Sequence, residues 1–234
     1  MRRISFGRAL DPRLGSGAMR SRAVILNGAA AALLAYCGGS SSHATTNSAP
    51  SSTSSSAAAS RPLSGMQGRL LTANELSGFS GTPRPPATSA SLWVTETDSG
   101  ESTPRQATVV KQLTRTGFVA GDTENLTGGA GDGLSSVEQF KTAQEAQAEV
   151  KSEAAQFSND VAGQGKVILF SAPGIPGARG YGGISPASGG GINISFAKGP
   201  YAYVVGQQVS GQAINTAEAK LITASRHEYA RVSP

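Results

Sequence analysis

The stretch at residues 192–205 most constrains the fold, because its apolar and polar residues alternate on both sides of a short polar break. Such alternation is typical of a strand with one buried face. Reading Lys198-Gly199 as a two-residue turn predicts an antiparallel hairpin. The predicted cross-strand pairs are Phe196 with Tyr201, Ile194 with Tyr203 and Ile192 with Val205.

Helix starts are marked by a repeated spacing, in which Ser, Thr or Asn is followed three residues later by Glu or Gln. It occurs at Thr103, Thr142 and Asn215, and apolar residues then follow at helical intervals. Proline at position 104 suits the first turn of a helix. The same spacing at Thr72 opens the folded part of the chain. The sequence therefore predicts three amphipathic helices.

Strand patterns fill most of the remaining chain. Besides the hairpin, they cover residues 91–96, 118–126, 134–140, 167–170 and 179–184. Because several strands follow one another without a helix between them, antiparallel pairing is favoured. The predicted fold class is α+β, a single domain at residues 69–234 in which three helices pack on one face of an antiparallel sheet.

The amino-terminal segment carries the excess charge of the whole chain. Residues 1–22 hold six arginines and one aspartate, whereas the chain after Cys37 has fourteen basic and fourteen acidic side chains. A balanced remainder argues against nucleic-acid binding. Basic residues followed by an apolar run too short to span a bilayer are typical of a signal peptide, here residues 1–36. Met19 is a candidate true start.

Cys37 is the only cysteine and follows Leu34-Ala35-Tyr36 directly. This stretch resembles the lipobox of bacterial lipoproteins, which implies acylation of the Cys37 thiol, with palmitate as one of the chains, and tethering to the cell membrane. Tyr36 departs from that pattern, where Gly, Ala or Ser is usual. Residues 37–68 are predicted to be a linker, since residues 38–60 contain no charged side chain and are rich in Ser and Ala. The alternative is an ordinary or uncleaved export segment with a chance cysteine.

Residues capable of catalysis or metal binding are sparse. A single cysteine excludes an intramolecular disulfide and a thiolate metal cluster. Two histidines, His43 and His227, are too few for a multi-histidine metal site, and His227 is predicted to lie in solvent on a helix face. Ser185 lies in an incomplete nucleophile-elbow pattern. We therefore predict no catalytic residue, no metal and no cofactor. The acidic pairs Asp98/Glu101 and Asp122/Glu124 are interpreted as ordinary residues of turns and strand ends.

Two glycine-rich segments are interpreted as connections between strands. The run at residues 128–133 lacks the Gly-Lys-Ser/Thr ending of a phosphate-binding loop and is predicted to be a hairpin loop. Residues 173–180 are predicted to cross between two strands. The alternative for this second segment is that Arg179 presents its guanidinium to an anionic ligand.

The segments at residues 70–79, 140–148 and 199–201 resemble uncharacterised secreted lipoproteins of actinobacteria that carry a small, sensor-like α+β extracellular domain. The resemblance implies a noncatalytic module that faces outside the cytoplasm and binds an unknown envelope ligand or protein. It transfers no functional residue, so the ligand-binding residues stay unknown. The alternative is a structural or assembly partner of an envelope protein complex.

Overall fold

The computed structural model describes residues 65–72, 75–97, 102–128, 131–161, 165–185, 189–209 and 214–234. The predicted signal peptide, Cys37 and nearly all of the predicted linker lie outside these ranges. Their assignment therefore stays a prediction. Within the described ranges, no helix combines the length and apolar character needed to cross a membrane.

The described chain forms one antiparallel sheet with helices packed against it. Its elements in chain order are β1 (Phe79–Pro83), α1 (Ala90–Thr97), α2 (Thr103–Arg115), β2 (Phe118–Gly128), β3 (Gly131–Phe140), α3 (Ala143–Val161), β4 (Lys166–Phe170), β5 (Arg179–Ser185), β6 (Gly189–Lys198), β7 (Tyr201–Val209) and α4 (Ile214–Arg231). The strands lie in the order β1-β2-β3-β7-β6-β5-β4. The predicted α+β class is confirmed, with four helices in the described chain where three were predicted.

Helices cover both faces of the sheet, so the prediction of a single covered face was wrong. Tyr203 packs in a cluster with Leu221 of α4, while its neighbour Ala202 packs with residues of α1, α2 and α3. Because successive side chains of a strand point to opposite faces, α4 lies on one face and the other three helices on the opposite one. We call these the α4 face and the α3 face. The continuous apolar run of β7 is typical of a strand buried on both sides.

The hairpin of β6 and β7 forms, but in a register two residues away from the predicted one. Phe196 lies opposite Tyr203, and Ile194 lies opposite Val205. The turn is Gly199-Pro200, because Gly199 adopts a φ of 59°, which suits the first central position of a type II′ turn. A shift of two residues keeps every side chain on its predicted face.

The predicted strand at residues 91–96 is wrong, since these residues belong to α1. Trp93 and Val94 are adjacent and both buried, which a helix covered on one side permits and a half-exposed strand does not. Ser89 starts the helix by accepting a hydrogen bond from the Leu92 N–H through its hydroxyl. The strand missing from the prediction is β1, which pairs with β2 at the sheet edge and contains Gly81 and Pro83, residues that strands usually avoid.

The predicted capping boxes form to different extents. At Thr72 the backbone N–H donates to the Glu75 carboxylate at 2.7 Å, yet a turn follows. At the start of α2 the cap is Ser102, without a side-chain capping bond. At Thr142 the box is complete: its N–H and hydroxyl both donate to Glu145 Oε2, and the Glu145 N–H donates back to the hydroxyl.

We expect Thr142→Ala to lower the free energy of unfolding by about 1 kcal/mol, because it removes the cap of α3. Thr108→Ala is the matched control. Thr108 is also exposed, but its hydroxyl only donates to the Pro104 carbonyl within α2. Urea unfolding of both variants measures the difference, and equal losses would show that the box at Thr142 contributes nothing special.

Candidate functional site

The site begins with β4, which lies at the end of the sheet and pairs on one side with β5. Its sequence, Lys-Val-Ile-Leu-Phe, is apolar after the first residue. Leu169 is 70 % exposed, more than the other exposed large apolar residues of the described chain, Leu92 and Val119. Apolar edge strands of this kind are natural places for another chain to bind.

Helix α3 forms the opposite wall of the site. Its Phe157 packs against the Tyr181 ring of β5, with ring centroids 5.2 Å apart. Helix α3 packs mainly on β5 and β6 and much less on the edge strand β4. As a result a gap remains between the outer side of α3 and β4.

That gap is a cleft of about 580 Å³, which we call the α3–β4 cleft. Such a volume lies in the range of ligand pockets. Its apolar lining comes from Leu169 and Phe170 on β4, Ala154 and Ala155 on α3, and Ala172 and Pro173 in the connection to β5. The Phe170 ring itself points to the α4 face, since Phe170 lies opposite Gly180 and packs against the apolar cluster that contains Leu221.

Two cations line the same cleft, Lys151 from α3 and Arg179 from β5. Both side chains are exposed, and neither has an ion-pair partner among the residues that the structure describes. The lining contains no Asp, Glu, His or Cys. The cleft therefore suits a ligand that combines apolar groups with negative charge.

Beneath α3, polar side chains are buried where a sheet face is usually apolar. Tyr181, Asn193 and Ser195 are completely buried on the α3 face, together with the nearly buried Glu149 and Glu153 of the helix. Burial raises the pKa of Tyr181 well above its usual value, and the charge of Glu153 adds to this. These groups are shielded from solvent almost completely and lie between the helix and the sheet rather than in the cleft.

Two further clefts have less favourable linings. One, of about 230 Å³, lies between α1 and the strands β2 and β3, with Arg84 and Glu96 of opposite charge in its lining. The other, of about 560 Å³, lies between residues 75–77 and α4, and its Glu75 is already paired with Arg231 at 2.8 Å. Unlike the α3–β4 cleft, neither of these two clefts is lined by a highly exposed apolar side chain.

Asp122, Glu124 and Glu96 form an acidic group near the first of these clefts. Asp122 is completely buried in β2, contrary to its predicted place at an ordinary strand end. Burial raises the pKa of Asp122 to about 6, and the charge of Glu96 contributes. Burial likewise raises the pKa of Glu124, with a contribution from Asp122. Among the described residues, no group of three or more His, Cys, Asp or Glu side chains is placed to hold a metal ion.

The end of α4 is fastened to the start of the domain by Arg231. Its guanidinium donates to the Leu70 carbonyl at 2.7 Å and to the Glu75 carboxylate, and also contacts the Gly68 carbonyl. Burial alone would raise the pKa of Glu75, but hydrogen bonds from Arg231 and Thr72 and the charge of Arg231 lower it overall. These contacts join the carboxyl-terminal helix to the first residues of the domain.

The residues singled out in the sequence are mostly not brought together. His227 is exposed on α4, as predicted. Ser185 ends β5, and Cys37, His43, Asp98 and Glu101 lie outside the described residues. Both glycine-rich segments connect strands as predicted, the first between β2 and β3 and the second between β4 and β5.

Of the sequence-predicted groups, Arg179 is the one that reaches the cleft. Sequence reasoning missed Lys151, Leu169 and Phe170. The sequence did contain a signal for Leu169 and Phe170. They lie in a continuous apolar run, which lacks the alternation of a half-exposed strand and so places an apolar side chain on each face.

Comparisons with known proteins add little to this geometry. No protein-family model matches the chain, and no curated protein matches it. Among solved structures, the extracellular domain of PknH from Mycobacterium tuberculosis is similar, with a TM-score of 0.39 and 17 % identity over 69 % of this chain and 95 % of that chain. At that level no residue of the cleft can be transferred from that protein.

Proposed function

We propose that this chain is a membrane-tethered lipoprotein of the bacterial envelope, held by lipid on Cys37 and facing outside the cytoplasm. Its domain at residues 69–234 binds an envelope ligand in the α3–β4 cleft without catalysing a reaction. The observation that supports this best is that one cleft combines the exposed Leu169 with Lys151 and Arg179, two cations without an ion-pair partner among the described residues.

The tether is supported by the order of features along the sequence. A basic segment and a short apolar run precede Cys37, and an uncharged Ser/Ala-rich stretch follows it. A flexible chain of about 30 residues keeps its ends about 30 Å apart on average. The domain would thus clear the lipid headgroups while staying close to the membrane.

A binding role without catalysis is supported by the chemistry of the lining. The lining includes Ser158 and Ser171, but a serine nucleophile is weak without an adjacent base, and the lining holds no His, Cys, Asp or Glu beside them. Lys151 and Arg179 instead supply positive charge, which orients an anionic ligand over the apolar floor.

The lipid anchor is tested by intact mass measurement of the protein purified from membranes. We expect a polypeptide that begins at Cys37 and carries an added diacylglycerol and acyl mass. Cys37→Ser should retain the export segment that precedes residue 37 and lose the added mass. An unmodified Cys37 still preceded by Tyr36 would remove the anchor from the proposal.

The cleft is tested with anilinonaphthalene sulfonate, an apolar anion whose fluorescence rises when it leaves water. We expect the double variant Lys151→Ala/Arg179→Ala to weaken its binding about five- to tenfold, the sum of two partly exposed charge contacts. The control is Lys111→Ala/Arg115→Ala, which removes the same charge from exposed positions of α2. Equal affinity in the two variants would show that the dye does not use the cleft.

A further inference from the structure

The α3–β4 cleft lies beside a free strand edge, and this juxtaposition restricts the kind of ligand that fits it. Within the described chain, β4 pairs with β5 and has no strand on its other side. An edge strand presents a row of backbone N–H and C=O groups along its free side. A ligand in the cleft is therefore next to hydrogen-bonding groups spaced at the repeat of an extended chain.

A groove between an edge strand and a helix is a geometry that accepts an extended peptide. The peptide pairs with the strand through its backbone, and every second side chain enters the groove. Here Leu169 points to the α3 face, since it lies opposite Tyr181 in the register of β4 and β5. The alternate side chains of an added strand would thus contact Leu169 and the small residues Ala154 and Ala155 of α3.

Charge selects among the possible occupants. Lys151 and Arg179 line the groove, and Lys166 is exposed at the start of β4. One possible occupant is the β4 strand of a second copy of this chain. It is disfavoured, because it would bring three more cations next to Lys151, Arg179 and Lys166. A second possible occupant is the chain's own stretch at residues 38–60. It is disfavoured, because it has no acidic residue to pair with these cations. An acidic strand from another protein satisfies both the backbone groups and the cations.

We propose that β4 binds an extended, acidic peptide segment of a partner protein, which adds to the sheet as a further strand and places its side chains in the α3–β4 cleft. This inference rests on the proposed function, since it specifies the ligand of the same cleft. It assigns to Leu169 the apolar contact, and to Lys151 and Arg179 the recognition of the acidic side chains.

The test uses the full chain in detergent and a labelled peptide of repeated Thr-Val-Thr-Glu, followed by fluorescence anisotropy. We expect the acidic peptide to bind, and a version with Lys in place of Glu to bind at least about tenfold more weakly. Methylating alternate backbone nitrogens should also weaken binding about tenfold, because it removes hydrogen bonds to β4. Because successive N–H groups of a strand point to opposite edges, both methylation registers are tested, and the one that blocks the edge facing β4 should weaken binding.

Leu169→Ser supplies the variant on the protein, and Leu92→Ser is its matched control. Leu92 is 51 % exposed on α1, which packs on β2, and β2 lies far from β4 in the sheet order. Leu169→Ser should weaken the acidic peptide about fivefold and Leu92→Ser should leave it unchanged. Circular dichroism melting checks that both variants keep their fold.

Three results would overturn the inference. These are no binding of the acidic peptide, equal binding of the acidic and basic peptides, or insensitivity to methylation in both registers. In any of these cases, the dye experiment separates the two proposals. If the loss of Lys151 and Arg179 still weakens dye binding, the cleft is retained as a ligand site and only the peptide ligand is rejected. Anionic phosphatidylglycerol vesicles that bind where the peptide fails would reassign the cations to a membrane surface.

Discussion

We expect Trp93→Ala to lower the free energy of unfolding by about 4 kcal/mol, the usual cost of removing a large aromatic ring from a core. Trp93 is completely buried on the α3 face. Its indole N–H donates to Glu138 Oε1 at 2.6 Å, and its ring stacks on Phe118 at 6.1 Å between centroids. The variant therefore opens a cavity and removes a hydrogen-bond donor from a buried carboxylate. Urea unfolding measures the loss.

Leu92→Ala is the control, because Leu92 precedes Trp93 in the same helix but is 51 % exposed. It should change the free energy of unfolding by less than about 0.5 kcal/mol. Trp93→Phe should fall between the two, since it keeps an aromatic ring and loses the donor. A loss below about 1 kcal/mol for Trp93→Ala would contradict the packing of α1 on the sheet.

Trp93 also shows why part of the fold escaped sequence reasoning. Residues 91–96 contain Trp93, Val94 and Thr95, residue types that strands favour. Tertiary packing overrode this preference for a strand. In the helix, Trp93 and Val94 lie on the same side and are buried in the same cluster. By contrast, β2, β3 and the hairpin of β6 and β7 combine strand preference with a matching apolar pattern, and their assignment as strands was confirmed.

The hairpin register illustrates a limit of a different kind. The apolar alternation of β6 and β7 is unchanged by a two-residue shift, so it defines the faces but not the partners. The turn decides between the registers. Proline at position 200 cannot donate a backbone hydrogen bond, which favours placing it in the turn with Gly199 rather than in the strand.

The candidate cleft was predictable only in part, because its residues come from distant parts of the chain. Lys151 lies on α3 and Arg179 on β5, and no spacing in the sequence links them. Their proximity depends on the sheet order, which places β4 and β5 at one edge, and on the contact of Phe157 with Tyr181 that positions α3. Neither the order of the strands in the sheet nor the position of α3 can be inferred from a single sequence.

The same limit applies to Glu228, which looks like an ordinary polar residue of α4 in the sequence. It is completely buried, and neither carboxylate oxygen has a hydrogen-bond partner among the described residues. Burial raises the pKa of Glu228 well above its usual value; the charge of Glu75 raises it further, and Arg231 opposes this. Tyr203 is also close enough for its pKa to be raised in part by Glu228.

We expect Glu228→Gln to raise the free energy of unfolding at pH 7 by about 1–3 kcal/mol, since it removes the cost of burying a charge without changing the shape of the side chain. The native protein holds the Glu228 proton more tightly than the unfolded chain, so stability from this group falls as the pH rises above about 4.5. The gain should therefore disappear near pH 4, where Glu228 is protonated in both states.

Glu218→Gln is the matched control, because it makes the same change in the same helix at a partly exposed position. It should shift stability by less than about 0.5 kcal/mol. Urea unfolding of both variants at pH 4 and pH 7 separates the effects. A destabilisation by Glu228→Gln that is equal at both pH values would mean that the Glu228 carboxylate is compensated where it lies, with Arg231 as the group positioned to do so, and that its burial costs the fold nothing.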